Sequence, residues 1–325
     1  MIDGFGRTIS YVRLSVTDRC DLRCRYCMAE AMTFLPKADV LSFEEIVALA
    51  DILIARGVTR IRLTGGEPLV RKGVETLIEQ LGARVGDGLD ELTLTTNGTQ
   101  LGRFAPMLRA AGVRRINVSL DTLDPGRFRH ITRRGDLDQV LGGIEAAASA
   151  GLTIKINMVA LRGLNDDEFA PMLRWCAARG FDLTLIETMP LGEVGHARSA
   201  HYLPLSEAKR RLERDFSLIP SLARSGGPAR YWEVEGRGIR LGLITPLTNN
   251  FCAGCNRIRV AATGTVYGCL GHDQKVELRD VLRAGGAAAV DAALDTLLAG
   301  KPERHHFEIA ATRPAVARHM SVTGG

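Results

Sequence analysis

Apolar and polar positions in the first two-thirds of the chain switch between a helical and an extended period. Ser42 followed by Glu45 makes a capping box, the reciprocal pair that opens a helix. Behind it Phe43, Ile46, Val47, Ala50 and Ile54 recur on one helical face. The pattern stops at Gly57, and Arg60-Ile-Arg-Leu-Thr64 then reads as a strand. The same punctuation returns at Gly112, Gly151 and Gly180, each followed by an apolar residue, as at the end of a helix. Strands are predicted at 11–16, 59–63, 91–95, 115–119, 153–159 and 183–187, with helical patterns between most of them. Parallel βα units follow, hence an α/β fold. An open doubly wound sheet and an incomplete barrel both satisfy this rhythm, and both put their sites at strand C-terminal ends.

Near residue 220 the rhythm changes, dividing the chain into 1–220 and 221–325. Residues 231–234 and 239–244 suggest a hairpin, Thr263-Gly264 a turn between short strands, and 276–282 and 287–298 two helices. The chain ends Met320-Ser-Val-Thr-Gly-Gly325. The stretch before the glycines is apolar enough to dock, and a tail without side chains can thread into a narrow site.

Composition narrows the class. The 325 residues are 46% hydrophobic and 24% charged, an ordinary globular balance that excludes disorder. Aromatics are 5%, so Ala, Val, Leu and Ile must build the core. The net charge of +5 is mild and comes from dispersed Arg rather than Lys runs, so nucleic acid is not implied, while an anionic small ligand is compatible with it. No apolar stretch approaches the roughly 18 residues of a spanning helix. The start, Met-Ile-Asp-Gly-Phe-Gly-Arg, has no apolar signal core, so a cytoplasmic protein is expected.

Six of seven cysteines fall into two triads. Cys20, Cys24 and Cys27 follow the first predicted strand; Cys252, Cys255 and Cys269 lie near the C-terminus. Clustered thiols in a reducing compartment read as metal ligands before disulfides. Three thiolates per site can hold a four-iron cluster and leave one iron open to a chelating small molecule. A zinc site is the alternative, completed by His272 in the second triad; the first has no nearby His. Cys176, alone among alanines in a helical pattern, is expected to be a buried free thiol. Thr64-Gly-Gly-Glu-Pro68 offers bare backbone to a zwitterion, or is a simple tight turn. Arg257 and Arg259 point the same way if extended, which suits a triphosphate. Lys155, Arg13 and Arg62 occupy comparable places inside strands. The histidines are expected mostly at the surface.

These residues, with Phe34-Leu-Pro-Lys37, Thr95 to Gly98, Asn117-Val-Ser-Leu-Asp121 and the terminal double glycine, resemble the radical S-adenosylmethionine superfamily. Within it they are similar to the GTP 3′,8-cyclases of molybdenum-cofactor biosynthesis. The resemblance implies an incomplete (β/α)6 TIM-like barrel whose open side the C-terminal region covers. It implies two four-iron, four-sulfur clusters, one held by Cys20, Cys24 and Cys27 and one by Cys252, Cys255 and Cys269. S-adenosylmethionine would lie against Tyr26, Gly66, Ser119 and Met189. GTP would contact Arg13, Arg62, Thr95, Lys155, Arg257, Ile258 and Arg259, with Arg257, Arg259, Gly324 and Gly325 serving the radical step. Reductive cleavage of S-adenosylmethionine would give a 5′-deoxyadenosyl radical that takes the ribose 3′ hydrogen, and the carbon radical would attack guanine C8. The implied partners are a one-electron reductant of the flavodoxin or ferredoxin type and a downstream cyclic pyranopterin monophosphate synthase. Neither nucleic acid nor membrane is implied, and a homodimer is compatible. A two-cluster peptide-modifying maturase is the runner-up, but it would not need Arg257, Arg259 or the double glycine. A zinc-dependent nucleic-acid-binding protein would want basic patches interleaved with aromatics, which the composition lacks.

Overall fold

Ser42 caps the helix Phe43–Ala55 (α1) reciprocally. Its hydroxyl accepts from the Glu45 amide at 3.1 Å, and its own amide donates to the Glu45 carboxylate at 2.7 Å. The buried face of α1 is Ile46, Leu49, Ala50 and Leu53, rotated slightly from the predicted stripe, while Val47 and Ile54 stay half-buried. The four glycines expected at helix ends, Gly57, Gly112, Gly151 and Gly180, have φ of 91°, 84°, 80° and 70°. The computed structural model describes residues 1–194, 198–309 and 313–324.

Six strands, β1 (Tyr11–Ser15), β2 (Arg60–Thr64), β3 (Glu91–Thr96), β4 (Arg115–Ser119), β5 (Thr153–Ala160) and β6 (Asp182–Glu187), pair in parallel in chain order. Between them run α1, α2 (Val74–Gly82), α3 (Leu101–Ala110), α4 (Pro125–Thr132), α5 (Leu137–Ser149) and α6 (Phe169–Ala177). Strand residues alternate. Val12, Leu14, Ile61, Leu63, Leu92, Leu94, Ile116, Val118, Ile154 and Ile156 belong to the apolar core with the buried helix faces. The alternate positions are polar and turn to the opposite face.

After α7 (Leu205–Leu212) the chain lengthens this sheet at both edges instead of building a separate one. Strands β7 (Leu218–Ser221), β8 (Arg230–Val234) and β9 (Ile239–Ile244) extend it beyond β6, with β8 and β9 forming the expected hairpin. The chain then crosses to the other edge, where β10 (Arg257–Val260) lies parallel to β1 and β11 (Thr265–Tyr267) and β12 (Lys275–Glu277) follow. The helix predicted from 276 therefore starts later: Val276 and Glu277 belong to β12. The two expected helices are otherwise both present, lying on either side of Gly286 within the span α8 (Leu278–Ala299), which breaks where Gly286 takes φ 61° and ψ −153°. A last short helix, α9 (Met320–Thr323), carries the tail back to β1. Cys176 is fully buried in α6, as expected of a structural thiol.

Candidate active site

The polar face of β1–β5 is where the chemistry gathers. Arg13, Arg62, Thr95, Asn117 and Lys155 project from five neighbouring strands into a cavity of about 260 Å³. Both cysteine triads line the same cavity, as do Tyr26, Gly66, Ser119, Met189, Arg257 and Arg259. Five cations thus face it, and among the described residues no carboxylate lines it.

Register explains how the cations come together. Arg13 stands opposite Arg62 on one side and Arg259 on the other, with Arg257 opposite Tyr11. Like charges in adjacent cross-strand positions repel. Burial, then Arg259 and Arg62, hold the Arg13 pKa well below its ordinary value; burial and Arg257 bring Arg259 to about 9. The Nε atoms of Arg13 and Arg62 are buried without a hydrogen-bond partner. At the base, Lys155 donates to the Tyr231 hydroxyl, which donates to Ser225 Oγ at 2.7 Å. Burial, with help from Arg62 and Arg115, lowers Lys155 to about 7. Beneath it a second cavity of about 400 Å³ opens at the strand N-terminal ends and shares Lys155 and Ser225.

The first triad occupies the loop after β1. Burial pushes the Cys20 and Cys24 thiols up, Glu67 adding to the effect at Cys20 and Cys27 at Cys24. Ionising them needs a positive centre among them, which an iron–sulfur cluster supplies. Glu67 anchors the loop's neighbours: its fully buried carboxylate accepts from the Leu69 amide at 3.0 Å, Thr96 Oγ1 at 2.9 Å and the Asn97 amide at 2.7 Å. Asn97 in turn reaches Asp21 Oδ1 at 2.7 Å. The glycines of Thr64-Gly-Gly-Glu serve the protein as well as any ligand. A Cβ on Gly65 would meet the Thr17 carbonyl oxygen at 2.2 Å, and one on Gly66 that of Arg19, also at 2.2 Å. They let β2's exit loop lie directly on the backbone leading into the triad, where the Glu67 amide donates to Arg19 at 2.8 Å.

In the second triad, Cys255 is held below the ordinary thiol value: burial opposes this, but Arg257 and Lys301 outweigh it. Burial raises Cys269. His272, the fourth ligand a zinc site would have used, is half-buried, and its Nε2 lies 3.0 Å from the Arg304 carbonyl oxygen. Both donor sets are therefore three soft thiols opening on a shared cavity, which fits clusters with one iron open.

Residues 14–176 match the radical SAM superfamily model, and 181–307 match Molybdenum Cofactor Synthesis C. A curated GTP 3′,8-cyclase of Rhizobium etli is 58% identical over all of this chain and 94% of its own; one of Rhizobium meliloti is 59% identical with the same coverage. The Erythrobacter litoralis GTP 3′,8-cyclase is 58% identical, with 98% of its length covered. The chain belongs to the GTP 3′,8-cyclase family of the radical S-adenosylmethionine superfamily. Among solved structures, Streptococcus suis SuiB bound to S-adenosylmethionine matches with TM-score 0.59 at 14% identity. That match takes in 83% of this chain and 61% of that one, a likeness of fold alone.

Membership in this family implies a four-iron cluster and S-adenosylmethionine, and it gives the remaining geometry a context. Tyr26 donates to Asp121 Oδ2 at 2.7 Å, while Asp121 Oδ1 accepts from the Val159 amide at 2.8 Å. Burial raises Asp121 to about 6. The tail reaches the cavity mouth: Arg259 donates to the carbonyls of Thr323, at 3.3 Å, and Gly324. Gly324 has φ 72°, and a Cβ there would overlap Thr64, 2.0 Å from its Oγ1. Gly325 lies outside the described residues. Among the expected substrate residues Ile258 differs, because the strand alternation between Arg257 and Arg259 turns its side chain into the core at 1% exposure. Only backbone could serve a ligand there. His305 corrects the surface expectation for histidines: it lines the cavity wall and stacks on Phe307 at 4.2 Å. No local motif marks His305, Tyr231 or Lys301, whose neighbours come from distant elements. The period-two polar residues of β2–β5 did carry a readable signal for a polar interior.

No helix among the described residues is long and apolar enough to cross a membrane.

Proposed function

We propose that this chain is a GTP 3′,8-cyclase that converts GTP to (8S)-3′,8-cyclo-7,8-dihydroguanosine 5′-triphosphate, the first step of molybdenum-cofactor biosynthesis. The observation that carries this reading is the cavity wall: five cations, six thiols and no carboxylate among the described residues. An anionic ligand that also presents a metal-chelating end satisfies both halves of it.

In this reading the parallel strands form an incomplete (β/α)6 barrel spanning residues 1–220, and residues 221–325 cover its open side. Cys20, Cys24 and Cys27 would hold one cluster and Cys252, Cys255 and Cys269 a second. The bound clusters would supply the electron that cleaves S-adenosylmethionine and an open iron for the base of GTP. Tyr26, Gly66, Ser119 and Met189 would seat S-adenosylmethionine, with Asp121 fixing the Tyr26 phenol. Arg13, Arg62, Lys155, Arg257 and Arg259 would bind the triphosphate through charge-assisted hydrogen bonds, with Thr95 beside them. Arg259 would also fix the tail by its carbonyls, presenting Gly324 and Gly325 at the cavity mouth during the radical step. Electrons would come from a cytoplasmic flavodoxin or ferredoxin, and the product would pass to a cyclic pyranopterin monophosphate synthase.

Anaerobic reconstitution tests the reading directly. About eight irons per chain are expected, falling by half in Cys24→Ser, with 5′-deoxyadenosine and cyclised nucleotide formed from GTP, S-adenosylmethionine and dithionite. A colourless, zinc-loaded protein would overturn it. Turnover of a peptide and not of GTP would favour the maturase.

A further inference from the structure

A buried cation that does not line the cavity stands against the second cysteine triad. Lys301 follows the C-terminus of α8 and is only 2% exposed. Its Nζ lies 3.6 Å from Cys255 Sγ, the partner the structure gives it. No carboxylate among the described residues pairs with it.

The stem of Lys301 reaches a second member of the triad. It packs on Gly268, where a Cβ would come within 3.3 Å of Lys301 Cγ, and Gly268 immediately precedes Cys269. The third member is tied in through backbone. Arg7, whose Nε pairs with Asp3 at 2.6 Å, donates to the Cys252 carbonyl at 3.0 Å. The same guanidinium donates to the carbonyls of Pro302 at 2.8 Å and Glu303 at 2.6 Å, the two residues after Lys301. One clamp therefore fixes the ammonium, its stem and the triad together.

Burying an ammonium among thiols is unfavourable unless something nearby is anionic. Three thiolates on a four-iron cluster provide that charge, and hydrogen bonds to cluster sulfurs set reduction potentials. We propose that Lys301 is the charge-compensating residue of the second cluster, donating to the Cys255 ligand and raising that cluster's affinity for an electron. Lys301 acts through the ligand and is a positioning residue, not a catalytic one. The inference rests on the two-cluster reading above.

The test uses the full chain carrying Cys20→Ala, Cys24→Ala and Cys27→Ala, which leaves only the second cluster, followed by EPR-monitored redox titration. Lys301→Gln keeps a donor without charge, Lys301→Met removes both, and Lys301→Arg keeps both. The two neutral variants should lose at least tenfold in electron affinity, about 59 mV for one electron, while Lys301→Arg stays near the parent. An unmoved potential in both neutral variants overturns the proposal, as does an equal shift in Lys301→Arg. If the neutral variants fail to assemble the cluster, iron analysis decides. Retention in Lys301→Arg supports the need for charge; loss there too reduces Lys301 to packing and overturns it. A parent with no second-cluster signal overturns the two-cluster reading itself, an outcome distinct from a signal that Lys301 variants leave unmoved.

Discussion

Arg259 of β10 stands directly opposite Arg13 of β1, a half-buried and a buried arginine in adjacent register, with no acid between them among the described residues. An empty cavity built this way is strained electrostatically, and an anion relieves it. Arg13→Gln should therefore leave the ligand-free protein as stable as the parent or more so, by up to about 1 kcal/mol. GTP binding should weaken roughly 10- to 100-fold, the loss of one charge-assisted hydrogen bond of about 1.5–3 kcal/mol. Thermal melts with and without GTP check both signs at once; destabilisation of the ligand-free protein would show that Arg13 is structural.

Lys155 gives a pH signature. Its folded-state pKa of about 7 lies below the ordinary 10.5, so across that window the unfolded chain binds a proton that the folded chain does not. Its contribution to stability is full above the upper value and is lost as pH falls through about 7. Lys155→Met should flatten this slope in denaturant titrations between pH 7 and 10. A bound triphosphate favours the ammonium, so GTP binding at pH 8 should take up on the order of one proton. Calorimetry in buffers of differing ionisation enthalpy measures that uptake, and Lys155→Met should abolish it.

Tyr231→Phe removes the hydroxyl that holds the Lys155 ammonium at the base of the cavity, while keeping the ring. The expected result is a several-fold rise in KM for GTP with kcat little changed. An unchanged KM would mean that Lys155 needs no such partner.

Gly324→Ala places a methyl group inside Thr64 and strains a left-handed backbone. The tail should lose its seat beside Arg259. Iron content and GTP affinity should hold within a few-fold, and cyclised product should fall by at least tenfold. Product formation at the parent rate would return the tail to a dispensable terminus.

Cys176→Ala serves as the contrast among the cysteines. Fully buried in α6, it should cost roughly 1 kcal/mol of stability and leave the iron count untouched. Iron lost with Cys176 would mean that the thiol is no mere packing group.

The α/β class, all six parallel strands and both triads were legible because each rests on local chemistry: helix caps, period-two strands and close cysteine spacing. Arg257 and Arg259 were legible through their alternation, and the same rule, carried one residue further, turns Ile258 into the core. What sequence left open was spatial. Nothing local says that β10 docks on β1, so the Arg13–Arg259 pairing could not be read from either strand. Lys301 and His305 sit in a tail without periodicity, where burial comes from partners elsewhere in the chain. The onset of α8 was misplaced because Val276 and Glu277 complete an edge strand whose apolar content is indistinguishable from a helical start. The interior polar layer is written in β1–β5 as alternation, and Arg13, Arg62 and Lys155 were legible there as charges inside otherwise apolar strands.

The docking of β10 on β1 also sets an order of events during synthesis. The first strand of the sheet leaves the ribosome early, and its outer neighbour emerges only after most of the chain. Until then β1 offers an unpaired edge, with the first cysteine loop beside it, to whatever else is in the cell. The nascent protein thus carries that open edge through most of its translation. Truncation anywhere before residue 257 would leave that edge open permanently, making such fragments prone to aggregate instead of forming smaller working enzymes.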